Sequence, residues 1–298
     1  MIKHLVLSGG GPNNIIQLGC LHELFNKKLI SYETLESIYS TSAGSLLGLN
    51  VVLKYDMNVV RDYYINRPWH KVFSFKADEL MQVVENNGYV DMKFVEDIID
   101  IFLTAKNCSK DITFLELYHL SNITFNVFSV KISSFEKIVF NHENSPSMPV
   151  KTAILMSCAL PPIFKPIPYD NDFYLDGGML CNYPINDCIL KYPNKKDVFG
   201  LHVTTGDLET KGCFSEKSSM PDYMMMLIKM LITNIQKQEY VSGINEILIK
   251  TEYGALHIEP WKKLLEQDKK LEMYNQGVAL VEKYITEQNL KTDQAYQH

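Results

Sequence analysis

The chain has 298 residues, of which 46% are hydrophobic and 21% are charged, and its formal net charge is −6. These values are typical of a folded globular protein and exclude a chain that is mainly disordered. The negative charge balance provides no field that would attract a phosphate backbone, so we expect no nucleic acid partner.

The first part of the chain predicts two successive strand-to-helix connections. Residues 2–7 form an apolar run that ends at glycines, and residues 15–29 place apolar side chains at helical spacing. Residues 35–40 predict a second strand, and residues 46–53 predict a second helix. Such connections are typical of a parallel sheet that is covered by helices.

Further strands are predicted before a helical part. Residues 123–132 and 136–140 alternate with a period near two, which predicts paired strands. Residues 198–203 predict a buried strand, the polar stretch 204–219 predicts a boundary, and the pattern over 220–290 is mostly helical.

These elements predict the fold class and the organisation of the chain. We expect a three-layer α/β/α fold with a mostly parallel central sheet over residues 1–208. A mainly helical C-terminal extension, residues 209–298, is expected to pack on it. The sequence predicts no oligomeric state.

The cysteines and the apolar stretches indicate where the protein works. Six cysteines without a CxxC pair indicate free thiols in a reducing compartment. The N-terminal apolar stretch is too short for a signal peptide, and residues 223–235 fall short of the roughly 20 residues that cross a bilayer. We expect no transmembrane segment and an intracellular protein, either cytoplasmic or peripherally associated with a membrane.

A glycine-rich loop follows the first predicted strand. Ser8-Gly9-Gly10-Gly11 precedes a helix, so its backbone N–H groups can bind an oxyanion or a phosphate near the positive end of the helix dipole. The dinucleotide-binding pattern GxGxxG fails because Asn14 occupies the position of its last glycine. Taken alone, the loop also fits a tight turn.

A serine follows the second predicted strand. Ser40-Thr41-Ser42-Ala43-Gly44 has the layout of a nucleophile elbow with Ser40 in place of the first glycine. In that interpretation Ser42 is the nucleophile, and the small residues after it leave room for the sharp turn. The alternative is that Ser42 is only a helix N-cap.

An aspartate stands at the end of another apolar run. Asp176-Gly177-Gly178 follows Phe173-Tyr174-Leu175. Such an aspartate either forms a turn or delivers a carboxylate to a cleft.

The order of the three motifs resembles the patatin-like phospholipase family. That family has a GGG loop near its N-terminus, a GxSxG-type elbow some thirty residues later and a DG[GA] triplet far downstream. Residues 157–164 and 174–184 also look like the family's proline-containing stretch and its aspartate segment. The resemblance covers roughly residues 1–205.

The resemblance implies a lipid acyl hydrolase that cleaves carboxylic esters of phospholipids or acylglycerols at a membrane or lipid surface. Ser42 would attack the ester, Asp176 would take its proton without a histidine, and an acyl-enzyme would form. No metal and no other cofactor is expected. The residues that would form the oxyanion hole are Gly9, Gly10 and Gly11, and those that would support the elbow and the aspartate loop are Ala43, Gly44, Gly177 and Gly178.

The proposed role of Asp176 as a base predicts how deeply its carboxylate is buried and how far it lies from Ser42. An unperturbed aspartate titrates near ~3.9 and is a poor base for a hydroxyl proton. We therefore expect Asp176 to be largely enclosed, with its carboxylate roughly 2.6–3.2 Å from the Ser42 hydroxyl.

The glycine loop departs from the family pattern, and two alternatives remain open. Asn13 and Asn14 replace the usual Arg and Gly, so a positive charge near the oxyanion is missing and the chain could be a lipid-binding pseudoenzyme. An α/β-hydrolase triad would add His202 or His257 to the serine and the aspartate. The early position of the elbow argues against that triad, and His202 is better interpreted as a core residue.

Two aromatic or methionine-rich segments allow either a core or a lipid-facing role. The run at 223–235 is interpreted as core, with a lid or membrane-docking cover as the alternative. Trp69, Phe73 and Phe75 are likewise interpreted as core rather than as interfacial anchors.

Overall fold

The structure is a computed structural model that describes residues 1–69, 92–205, 219–236 and 239–295. Its strands form one eight-stranded sheet in the order β5-β6-β3-β2-β1-β7-β8, and β4 pairs with β3. The strands are β1 (His4–Leu7), β2 (Ser37–Thr41), β3 (Thr124–Lys131), β4 (Glu136–Phe140), β5 (Ile167–Tyr169), β6 (Asp172–Asp176), β7 (Val198–Thr205) and β8 (Asn245–Thr251).

The centre of the sheet is parallel. The pairings of β1 with β2 and β7, of β2 with β3 and of β7 with β8 are parallel. The pairings of β3 with β4 and β6 and of β5 with β6 are antiparallel. The prediction of a mostly parallel central sheet is therefore confirmed.

Helices cover the sheet and connect its strands, as predicted for the first two connections. The described helices are α1 (Asn14–Asn26), α2 (Ala43–Val52), α3 (Met57–Asn66), α4 (Lys93–Ala105), α5 (Phe114–Ser121), α6 (Val150–Ser157), α7 (Ile185–Lys191), α8 (Met220–Gln236), α9 (Ile258–Leu265) and α10 (Gln267–Ala295).

The core lies on both faces of the sheet, which makes the fold three-layered. Side chains alternate along β1, so Leu5 and Leu7 join the large cluster that contains α1 and α2. Val6 joins a smaller cluster with Tyr183 and with Ile185 at the start of α7. The predicted α/β/α fold class is confirmed.

One strand of the C-terminal part, β8, was not predicted from the sequence. β8 lies within residues 220–290, which read as mostly helical, and it extends the sheet by pairing with β7. Only Ile247 and Ile249 of this strand are buried, so its alternation is too short to stand out among helices. The predicted boundary at residue 208 lies outside the described residues, and the division into 1–208 and 209–298 stays a prediction.

The C-terminal helix α10 packs closely against α1. The helices approach at two glycines: a Cβ atom placed on Gly277 would lie 2.0 Å from Ile16 O, and one on Gly19 would lie 2.0 Å from Tyr274 O. This contact requires glycine at both positions because neither backbone leaves room for a methyl group.

The state of the cysteines and the length of the helices can be compared with the predictions of free thiols and of no transmembrane segment. The five cysteines in the described ranges are free thiols, as predicted, and Cys213 lies outside those ranges. Among the described helices, none is both long enough and apolar enough to cross a bilayer. The intracellular location stays a prediction.

Candidate active site

The strand register brings Ser42 and Asp176 together although 134 positions separate them in the chain. β2 and β6 pair with consecutive parts of β3. Thr41, the last residue of β2, lies opposite Phe128, and Asp176, the last residue of β6, lies opposite the adjacent Ser129. Because β6 runs antiparallel to β3, its end meets the residue that follows β2.

Ser42 lies in a sharp turn between β2 and α2. Its φ of 52° and ψ of −134° are sparsely populated for a residue with a side chain, as expected of a nucleophile elbow. The Ser42 N–H donates to Ser157 Oγ at 2.8 Å, and the Ser157 hydroxyl donates to Phe128 O at 2.6 Å. Ser157, whose role sequence analysis missed, thus ties the elbow to β3.

The Ser42 side chain points at the carboxylate and does not cap the helix. Ser42 Oγ donates to Asp176 Oδ2 at 2.6 Å, and no side-chain hydrogen bond caps the start of α2. The N-cap alternative therefore does not describe the role of this hydroxyl.

Asp176 is enclosed and has a raised pKa. The residue is 2% exposed, and burial raises the pKa of its carboxyl group to about 7 although hydrogen bonds from Ser42 and Gly178 oppose the shift. The Gly178 N–H donates to Asp176 Oδ1 at 2.7 Å. The predicted enclosure and hydrogen-bond reach agree with this geometry.

Glycines allow the backbone to approach closely on both sides of the pair. A Cβ atom on Gly44 would lie 2.5 Å from Ser8 O, and one on Gly177 would lie 2.4 Å from Phe128 O. Any other residue would push the elbow or the aspartate loop off the sheet. Gly178 contributes its N–H to Asp176, whereas Ala43 lines a pocket beside Ser42.

The glycine loop lies beside Ser42. A Cβ atom on Gly9 would lie 3.0 Å from Ser42 Cβ, and the φ of Gly11 is +54°, which favours glycine. The Gly9 N–H donates to Asn182 O at 3.0 Å. No described residue accepts a hydrogen bond from Gly10 or Gly11 N–H, so these two amides, rather than all three, are available to a ligand.

The two asparagines that replace the family's Arg and Gly stabilise the loop. Asn13 Nδ2 donates to Tyr253 O at 2.8 Å, and Asn14 Nδ2 donates to Ser8 O at 3.4 Å and to Gln17 Oε1 at 3.3 Å. The side-chain amide of Asn13 is thus directed at the carbonyl of residue 253.

Two pockets meet at Ser42, and they share Gly11, Leu160 and Ala255. The first contains about 730 Å³ of empty space, part of it open to solvent. It is lined mainly by apolar side chains, among them Leu46, Leu47, Trp69, Phe94, Ile98, Phe164, Trp261 and Leu264.

The second pocket is more polar and contains about 630 Å³ of empty space, part of it open to solvent. It contains the glycine loop and Asp176, and Lys229 of α8 also lines it. Its other polar side chains are Asn13, Asn182, Thr204, Thr205, Thr233 and Thr251.

The candidate histidines take no part in this site. The ring of His202 stacks on Tyr183 at 4.2 Å between centroids, and its Nδ1 lies 3.7 Å from Glu246 Oε1. His257 accepts a hydrogen bond from the Glu259 N–H at the start of α9. Ser42 donates to the aspartate directly, so the Ser-Asp-His triad is absent from the described residues and His202 is the core residue that we predicted.

The methionine-rich segment is not buried core. Met224, Met230 and Leu231 of α8 are 49%, 47% and 61% exposed, while Lys229 and Thr233 line the polar pocket. The core interpretation is therefore wrong for these side chains, because one face of the helix covers a pocket and the other faces solvent. The alternative of a lid or membrane-docking cover stays a prediction.

The remaining candidates are the aromatic residues around Trp69 and possible metal ligands. Trp69 is buried, as predicted, and lines the apolar pocket, whereas Phe73 and Phe75 lie outside the described residues. Across the described ranges, no group of three or more His, Cys, Asp or Glu side chains could hold a metal ion.

Comparisons with known proteins give a consistent picture. The family model for patatin-like phospholipases matches residues 5–189. "Probable lipid hydrolase 463L" of Invertebrate iridescent virus 6 is 27% identical over 197 residues, which are 65% of this chain and 66% of that protein. "Triacylglycerol lipase 4" of Saccharomyces cerevisiae is 28% identical over 183 residues, which are 56% of this chain and 19% of that protein.

The fold is shared with a solved structure. VipD from Legionella pneumophila is similar with a TM-score of 0.56 and 15% sequence identity, over 92% of this chain and 67% of that chain. The chain spans less than two thirds of the length of the two curated relatives described above.

Proposed function

The chain belongs to the patatin-like phospholipase family, and on this premise we propose that it hydrolyses carboxylic ester bonds of phospholipids or acylglycerols through Ser42 and Asp176. The observation that supports the proposal best is the hydrogen bond of 2.6 Å from Ser42 Oγ to Asp176 Oδ2. A nucleophile and a base in direct contact are what acyl transfer through a covalent intermediate needs.

Asp176 is the general base in the first half of the reaction. Ser42 Oγ attacks the carbonyl carbon of the ester while its proton passes to Asp176 Oδ2. The tetrahedral intermediate collapses to an acyl-enzyme, and the proton moves from Asp176 to the departing alcohol. A carboxyl group with a pKa of about 7 serves both steps near neutral pH, because it is more basic than an ordinary carboxylate and still gives the proton up.

Water completes the cycle in the second half. It attacks the acyl carbon and gives its proton to Asp176, the fatty acid leaves, and the proton returns to Ser42 Oγ. The same residue therefore acts as base and as acid in turn, and no histidine is needed.

The N–H groups of Gly10 and Gly11 are the proposed donors to the oxyanion. They line the pocket beside Ser42 and have no hydrogen-bond acceptor among the described residues. One such donor contributes about 2.7–4 kcal/mol to transition-state stabilisation in other acyl-transfer enzymes. Gly9, which donates to Asn182 O, holds the loop in place.

The apolar pocket is the proposed site for the acyl chain. It opens at Ser42 and is lined by side chains such as Leu47, Phe94 and Ile98, which match a hydrocarbon tail and offer no polar partner. The exposed apolar side chains of α8 are the proposed contact with a lipid surface.

Ester hydrolysis by wild type and by Ser42→Ala and Asp176→Asn tests the proposal. A nitrophenyl ester and lipid vesicles serve as substrates, and the fold of each variant is checked by circular dichroism. We expect wild type to be active and both variants to lose at least about a thousandfold in kcat/KM, since residues that act as a unit fail together.

His202→Ala is the matched control because this histidine stacks on Tyr183 and forms no hydrogen bond with Ser42 or Asp176. Loss of activity in the control, or activity that survives in Ser42→Ala, would contradict the mechanism. Wild type that binds lipid but hydrolyses no ester would indicate a lipid-binding pseudoenzyme instead.

A further inference from the structure

Lys229 introduces a positive charge into the pocket of Ser42. It lies in the middle of α8 and lines the polar pocket together with Ser42, Gly10 and Asp176. Among the described residues that line this pocket, Lys229 is the only cation and Asp176 is the only anion.

The ammonium group of Lys229 has no partner in the part of the chain that the structure describes. Three other lysines of the described part form ion pairs: Lys137 with Asp187, Lys191 with Glu143, and Lys151 with Asp100. No corresponding carboxylate lies within ion-pair distance of Lys229 among the described residues. A half-buried cation without an anion beside a substrate pocket is suited to an anionic ligand.

Hydroxyl groups surround the same space. Thr204 and Thr205 end β7, Thr251 ends β8, and Thr233 follows Lys229 by about one turn of α8. The carboxyl ends of parallel strands are where open α/β sheets bind ligands. The Thr204 hydroxyl donates to Thr205 O and the Thr251 hydroxyl donates to Thr204 O. Among the described residues the Thr205 and Thr233 hydroxyls donate to no acceptor, so these two side chains offer neutral donors to a phosphate oxygen beside one charge.

The two pockets divide a lipid substrate between them. With the ester carbonyl at Ser42 and the acyl chain in the apolar pocket, the alcohol part of the ester extends into the polar pocket. A glycerol carrying a phosphate would bring its charge towards Lys229, whereas the acyl chains of a neutral acylglycerol would meet this ammonium group and the threonines. Desolvating a lysine against a hydrocarbon chain is unfavourable.

We propose that Lys229 binds the phosphate of a substrate headgroup and makes the enzyme select phosphate-bearing lipids over neutral acylglycerols. The inference rests on the proposed ester hydrolysis and adds a specificity residue to it. α8 lies beyond the residues 5–189 that match the family model, so this feature belongs to the C-terminal part of this chain.

The test compares two short-chain substrates that differ in the phosphocholine headgroup. Dihexanoyl phosphatidylcholine and dihexanoyl glycerol, each below its aggregation concentration, exclude an effect on binding to a lipid surface. A nitrophenyl ester reports the chemistry without a headgroup. The variants are Lys229→Met, which removes the charge, and Lys229→Arg, which retains it. Lys250→Met is the matched control because Lys250 is exposed on β8 and lines neither pocket.

We expect Lys229→Met to lower kcat/KM for the phospholipid at least about tenfold, equivalent to about 1.4 kcal/mol. The value for the nitrophenyl ester should stay within about twofold, and the value for dihexanoyl glycerol should stay the same or rise because the ammonium group no longer meets its second acyl chain. This pattern distinguishes a lost headgroup contact from a lost reaction. Lys229→Arg should retain most of the preference, and Lys250→Met should behave as wild type.

Three outcomes would overturn the inference. An equal loss on all three substrates would place Lys229 in the chemistry or the fold, and an unchanged preference in Lys229→Met would remove it from recognition. Inhibition by inorganic phosphate that depends on Lys229, without any preference for the phospholipid, would make the site one for a free anion. Wild type that is inactive on the nitrophenyl ester would refute the proposed hydrolysis itself.

Discussion

Replacing Asp176 by asparagine should abolish hydrolysis and at the same time stabilise the protein at alkaline pH. The asparagine has the same shape, its amide oxygen can accept from the Gly178 N–H, and its amide nitrogen can donate to Ser42 Oγ. What the substitution removes is the negative charge that burial disfavours.

The magnitude follows from the pKa of this carboxyl group. It is about 7 in the folded protein and near ~3.9 in an unfolded chain, and one unit corresponds to about 1.36 kcal/mol. Because the folded-state pKa is the higher one, the folded protein binds this proton more tightly. The stability that this tighter proton binding contributes is complete below pH ~4 and is lost as pH rises to about 7.

The variant does not suffer this loss. We therefore expect Asp176→Asn to exceed wild type in free energy of unfolding by about 4 kcal/mol at pH 8 and by only about 1–2 kcal/mol at pH 5. Urea denaturation followed by circular dichroism at the two pH values measures the difference. Other titrating groups cancel because both proteins contain them.

Asp172→Asn provides a control of opposite sign on the same strand. The hydroxyl of Ser133 holds the pKa of Asp172 at about 2, so this carboxylate stabilises the fold above pH ~4 and stops doing so as pH falls towards about 2. The control should be less stable than wild type at pH 8.

A constant difference between Asp176→Asn and wild type at both pH values would refute the reasoning about the buried charge. So would a variant that is less stable than wild type at pH 8 while it keeps the native circular dichroism spectrum.

One pH profile and two substitutions test other parts of the site and the fold. The kcat/KM for a nitrophenyl ester should rise with pH and level off above about 7, because Asp176 acts as a base only when ionised; a flat profile from pH 5 to 8 would contradict this. Ser157→Ala leaves the Ser42 N–H without its acceptor, so unfolding by urea should show a loss of about 1–3 kcal/mol, and kcat should fall as the elbow loosens. Gly277→Ala places a methyl group against Ile16 O, so the free energy of unfolding should fall by about 1–3 kcal/mol while activity per folded molecule is unchanged; unchanged stability would refute the close helix contact.

Much of the fold could be predicted from the sequence because the signals are local. The apolar run before Gly9 and the helical spacing after it define β1 and α1 within a few residues, and the same holds for β2 and α2 around Ser42. β8 was missed because a short strand with two buried residues looks like part of its helical surroundings.

The candidate site was found from the order of its motifs rather than from any one of them. Ser42 alone also fitted an N-cap, and Asp176 alone also fitted a turn. Their combination with the glycine loop indicated the family, and the family match over residues 5–189 agrees with that interpretation. The departures at Asn13 and Asn14 were visible, but their hydrogen-bond partners were not.

The sequence by itself determined where each strand, turn and candidate side chain stands along the chain, because turns, glycines and hydrophobic periods act over a few residues. Only the tertiary structure decided which of them meet. Ser42 and Asp176 are neighbours because β2 and β6 pair with adjacent residues of β3. Burial that depends on the whole fold raises the pKa of Asp176. Lys229 lines the same pocket as Ser42 and the ends of β7 and β8, and no local pattern in the sequence specifies that these separate segments meet.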